Sequence, residues 1–129
     1  MMFRIMLLVG GLLFGTFVSA QEKPNAVQFV TVINTVAVHS EQCARSVKKQ
    51  VLGWYFGDDC KIFRESVMVV NSWDLGTAEQ ADAYVTELLV DAVTDRTLTK
   101  DDVTECLYNM KVITHNSNLI KEMVKASNI

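Results

Sequence analysis

Two histidines, three cysteines and one pair of adjacent aspartates are the side chains best suited to chemistry, and their spacing offers little for them to share. His39 and His115 are isolated, and no HExxH, GxSxG or CxxC pattern occurs in the chain. A metal centre or a nucleophile with its base needs several ligating or ionisable groups brought together. The sequence therefore shows no catalytic set, no metal-ligand set and no cofactor motif, and the expectation is a protein that is not an enzyme. Cys106 and His115 come nearest to a thiol with a base. Cys106, however, falls on an apolar helical stripe, where cysteine ordinarily serves the core or a disulfide. Asp58 and Asp59 lack the further spaced oxygen ligands that a cation site requires, so a capped turn or a solvated loop accounts for them better.

The same aspartates end an unusual run, Gly53-Trp54-Tyr55-Phe56-Gly57-Asp58-Asp59. Three consecutive aromatics cannot all face one core from a helix. At least one should be exposed, and exposed Trp or Tyr beside charge is the composition of a protein-binding hot spot. Trp54, Tyr55, Phe56, Asp58 and Asp59 are accordingly the expected partner-binding residues. The competing reading tucks Trp54 and Phe56 under the loop as a satellite of the core and leaves only Tyr55 outside.

Residues 1–20 read as a secretory signal peptide: Arg4, an apolar run over 5–17, then Val18, Ser19 and Ala20. Cleavage there leaves 109 of the 129 residues, a length suited to one domain over 21–129. No later stretch approaches the roughly 18 to 20 apolar residues of a membrane span. The product is expected to be periplasmic, without a membrane anchor after cleavage. Net charge is −3; removing Arg4 leaves 11 basic against 15 acidic residues, or −4. Nucleic-acid binding depends on clustered Lys and Arg that neutralise phosphate, so it is not expected here. Arg45, Lys48 and Lys49 form the longest basic cluster and read as a solvated helix face.

Three cysteines in an oxidising compartment suggest one disulfide and one leftover thiol, with three pairings open. Cys43 and Cys106 both fall on apolar helical faces, whereas Cys60 sits in the polar stretch 58–61. Periodicity favours Cys43 with Cys106, and Cys43 with Cys60 next. The longer loop would stabilise by about 4 kcal/mol in the chain-entropy description.

The elements that must carry these residues read as helices. Over 77–95, Ala81, Tyr84, Val85, Leu88, Leu89, Ala92 and Val93 recur at helical spacing, opposite Glu79, Asp82, Glu87 and Asp91. Thr77 with Gln80 forms a capping-box pattern. Thr99 opens another helix that buries Val103, Cys106, Leu107 and Met110, and the polar run 114–118 is expected to break it before a last helix over 119–126. Residues 27–38 are rich in β-branched side chains, yet their apolar positions fit a period of 3.6 better than 2 and continue through Cys43 to Val51. Segment 60–73 repeats similarly. The result is an all-α compact bundle of five or six helices; the alternative is an α+β fold with strands near 27–38 and 66–72.

This layout resembles the periplasmic immunity proteins of type VI secretion amidase effectors. The residues that carry the resemblance are the helix-borne Cys43 within Ser40-Glu41-Gln42-Cys43-Ala44, Trp73 ahead of the acidic helix, and Cys106-Leu107 before a final basic helix over 119–125. The extra Cys60 and the Trp-Tyr-Phe run depart from that pattern. The resemblance implies an α-helical, often dimeric inhibitor that occludes the active site of a peptidoglycan-degrading effector, an amidase or other cell-wall hydrolase, and so protects the producing cell. The alternatives are a small periplasmic binding module or acid-stress chaperone and, third, a small secreted enzyme without a recognisable motif.

Overall fold

A computed structural model describes residues 23–49 and 57–127. The expected signal peptide over 1–20, and Trp54, Tyr55 and Phe56, lie outside the described residues. Four helices form among those described: α1 (Ala26–Lys48), α2 (Asp58–Asn71), α3 (Ala78–Thr94) and α4 (Lys100–Ser127). The fold is all-α, with no strand among the described residues.

The β-branched run near the start is helical because burial follows the helical period. Phe29, Val30, Ile33, Val36, Ala37, Ser40, Cys43, Ala44 and Val47 form one buried stripe down α1. Asn25 starts it with a capping box: its side chain accepts from the Gln28 N–H, and the Gln28 side chain accepts from the Asn25 N–H. Over 66–72 the alternative strand is likewise replaced by the end of α2, whose Cys60, Phe63 and Val70 face inward.

The expected five or six helices become four among the described residues because α1 runs unbroken through His39 and Ser40, where a break would have given a sixth, and the expected break over 114–118 does not occur. Those residues are a turn of α4. Thr114 Oγ1 donates to the Met110 carbonyl at 3.1 Å, within the helix. Asn116 is buried and aims its amide at α1, so the polar run marks an inward-facing amide. At the start of α4, Thr99 Oγ1 accepts from the Asp102 N–H and Asp102 Oδ2 accepts from the Thr99 N–H, each at 3.0 Å. The Thr77–Gln80 capping box forms as expected and opens α3.

α1 is the spine of the fold, with most of the helix packing running from it to α4 and α2. Asn109 donates to Asn34 and Asn116 to Ser40, so α1 and α4 run parallel. Cys43 joins Cys60 while the Phe29 and Trp73 rings lie 5.6 Å apart, so α1 and α2 run antiparallel. α3 packs more lightly on α1 and α4. Its Tyr84 hydroxyl donates to the Pro24 carbonyl at 2.7 Å and ties the lead into α1 to α3.

The disulfide is Cys43–Cys60, and Cys106 is a free, buried thiol. The expected Cys43–Cys106 pairing is thus corrected. The parallel register explains why: with Asn34 opposite Asn109, Cys106 lies level with residue 31 of α1, and Cys43 is about 18 Å further along that helix. A disulfide tolerates no more than about 7 Å between Cα atoms. Cys43 and Cys60 are 4.5 Å apart at Cα.

Candidate functional site

The acidic pair after the aromatic run forms the first turn of α2. Gly57 precedes it as an N-cap that supplies no side-chain hydrogen bond, so the negative charge of the first turn comes from Asp58 and Asp59. Both aspartates are exposed, and negative charge at a helix N-terminus is favoured by the dipole. Two contacts hold this turn against α1. Asp59 Oδ2 accepts from Ser46 Oγ at 3.2 Å, and the next residue, Cys60, is bonded to Cys43. Asp58 and Asp59 are therefore presented from a stapled hairpin corner. Of the five expected partner-binding residues, the structure places these two together; the three aromatics between α1 and α2 lie outside the described residues.

The polar side read from the sequence for 77–95 is present as a helix face. Glu79, Asp82 and Glu87 are all exposed on α3. Arg45, Lys48 and Lys49 are exposed at the end of α1, where positive charge suits the helix C-terminus.

The thiol and base do not meet. Cys106 and His115 are nine residues apart within α4, about 13 Å along the axis. Cys106 is fully buried, and burial, with the nearby Glu105 charge second, pushes its thiol up to about 11. It is a neutral core side chain at physiological pH. His39 is half-buried with Nδ1 3.3 Å from Gln42 Oε1, and His115 is exposed. Among the described residues, no three His, Cys, Asp or Glu side chains gather at metal-binding distances.

One feature escaped the sequence reading: a groove between α2 and the second half of α4, floored by α1. The available signal was Ser117 and Val67 in otherwise well-patterned helices, small or short side chains where two helices fail to close. No helix among the described residues is long and apolar enough to cross a membrane. Compared with protein-family models, curated proteins and solved structures, the chain matches none.

Proposed function

We propose that this protein is a periplasmic immunity protein, which binds a secreted peptidoglycan-degrading effector and occludes its active site. The observation that carries the reading is the exposed Asp58–Asp59 pair at the disulfide-held corner of α1 and α2. A rigid acidic knob meets a basic or amide-lined cleft at little ordering cost, and aromatic neighbours in sequence supply contact area. The disulfide is also the kind of bond that persists in an oxidising envelope compartment, in keeping with removal of residues 1–20 on export. Partner binding of this sort needs no catalytic group of its own.

The test is binding to and inhibition of secreted peptidoglycan amidases and other cell-wall hydrolases assayed one by one, measured as release of soluble peptidoglycan fragments. One equivalent of the protein is expected to suppress release. Replacing Tyr55 with alanine together with Asp58→Asn and Asp59→Asn should weaken binding by roughly 2 kcal/mol or more if they form a hot spot. Full inhibition by the triple variant would move the contact surface to Glu79, Asp82 and Glu87 on α3. Inhibition of none of them would overturn the reading.

A further inference from the structure

α2 and α4 flank α1 without packing closely on each other, and the space between them holds two hollows of about 240 and about 540 Å³. Val67 of α2 and Ser117 of α4 line both, so the hollows form one continuous groove. Its two ends differ. The first is walled by Ile33, Val36, Val70, Met110 and Ile113, and its polar lining groups are all uncharged. The second has an apolar floor over the Cys43–Cys60 bridge and Phe63, and it carries every charged side chain of the groove: Arg64, Lys121 and Lys125 against Glu122. A chain of net charge −3 thus keeps a net positive end on an otherwise apolar slot.

We propose that this groove binds a long-chain fatty acid, with the alkyl chain along the apolar end and the carboxylate between Lys121 and Lys125. The charge arrangement selects this occupant. An amphipathic helix spreads its polar groups along its whole length, whereas here charge is confined to one end. A single-chain amphiphile has that same division. Lys121 and Lys125 are one turn apart on one face of α4, a spacing that lets two ammonium groups flank one compact carboxylate. The larger hollow falls within the range of about 300 to 1,000 Å³ usual for small-molecule sites and the smaller one extends it, and such sites are apolar with a few placed polar groups. Neither Asp58 nor Asp59 lines this groove, although both regions adjoin the Cys43–Cys60 bridge, so its ligand is tested independently of the immunity reading.

The experiment expresses the full chain, purifies the exported protein and titrates it with 11-(dansylamino)undecanoic acid, then displaces that probe with unlabelled amphiphiles below their critical micelle concentrations. One probe per chain is expected, displaced by dodecanoate and several-fold more tightly by tetradecanoate, because each added methylene is buried. Dodecyl maltoside, with the same chain length and a neutral head, should need at least tenfold more. Lys121→Glu with Lys125→Glu should weaken dodecanoate about tenfold and leave dodecyl maltoside unchanged. Val67→Trp, at the junction of the two hollows, should abolish both; Ser117→Leu replaces it if the tryptophan variant loses its helical circular dichroism. Three results overturn the proposal: no saturable displacement by dodecanoate, unaltered dodecanoate binding by the charge-reversed variant, or displacement by lysophosphatidylglycerol alone, which would make this a phospholipid site.

Discussion

Asn116 on α4 donates its side-chain amide to Ser40 on α1 at 3.0 Å, joining two buried polar side chains 76 positions apart. Ser40 in turn donates to the Ala37 carbonyl at 2.8 Å, so its oxygen serves as donor and acceptor at once. Among apolar neighbours, this pair fixes the parallel register of the two longest helices. The hydrogen bond is also the reason a polar run passes through α4 without ending it.

Removing either partner should therefore cost more than its size suggests. Ser40→Ala strands the Asn116 amide and is expected to destabilise by about 1 to 3 kcal/mol, at least as much as Asn116→Ala, which leaves the serine its bond to Ala37. The double variant should fall short of the sum by about 0.5 kcal/mol or more. Urea unfolding of the four proteins measures this. Strict additivity would mean the pair does not couple α1 to α4.

Much of this architecture is legible in the sequence where one rule acts locally. The amphipathic period and the Thr77–Gln80 box locate α3 to within a residue or so, and the stripe through Phe29, Ile33, Val36 and Cys43 outweighs β-branching in α1. What the sequence hides depends on relations between helices. Asn116 reads as a breaker until Ser40 is seen opposite it. Cys43 and Cys106 are both core-facing, as their periodicity says, yet register sets them about 18 Å apart. Cys60 reads as part of a polar turn because Asp58 and Asp59 precede it, when those carboxylates are the favoured first turn of a helix. At the candidate site, exposure of the two aspartates was legible, but their clamp through Ser46 and the disulfide was not. The groove between α2 and α4 was not legible either, since it arises where two helices that look fully amphipathic share a third.

Peptide mapping without reduction should recover Cys43 linked to Cys60. Cys106 is expected to resist iodoacetamide at pH 8 in the folded protein and to react fully in guanidinium, because burial raises its thiol to about 11 and closes access to it. The bridge spans a sequence separation of 17, for which chain entropy gives about 3 kcal/mol. Replacing Cys43 and Cys60 together with alanine should lower stability by roughly that amount, whereas Cys106→Ser should leave the bridge intact. Recovery of Cys106 in any disulfide would contradict the helix register.

Asp95 provides a pH test at the α3–α4 turn. Its Oδ1 accepts from both the hydroxyl and the N–H of Thr97, the latter at 2.9 Å, and these bonds hold its carboxyl below the ordinary value of 3.8, the hydroxyl contributing most. A carboxyl depressed in the folded state stabilises it above the ordinary value, and that contribution is lost as pH falls through the lower folded value. The group is fully exposed, so the effect should register in its own titration rather than in the melting of the whole protein. Thr97→Ala, which keeps the N–H bond, should move the Asp95 midpoint upward toward 3.8 without reaching it, as followed by carboxyl-carbon NMR. An unmoved midpoint would assign the depression to something other than the hydroxyl.

Gly76 governs the entry to α3. Its φ of +85° lies in the left-handed region, where a side chain is strained, and a Cβ there would run into Gln80 Oε1. That oxygen accepts the Thr77 N–H at 2.8 Å and is half of the capping box. Gly76→Ala therefore imposes two penalties, the backbone strain and displacement of the glutamine that caps the helix, and is expected to destabilise by about 1 to 2 kcal/mol. Gln80→Ala alone removes only the glutamine half of the capping box and imposes no backbone strain, so it should cost less. Combined, the two changes should be less damaging than their sum, because Gln80→Ala removes the carboxamide that the new Cβ would displace and leaves only the tight contact with the Cβ of residue 80. Thermal unfolding followed at 222 nm separates the terms. Should Gly76→Ala prove as stable as the original protein, the turn before α3 must adopt a different backbone, and the lightly packed α3 would have to be redrawn from its first turn.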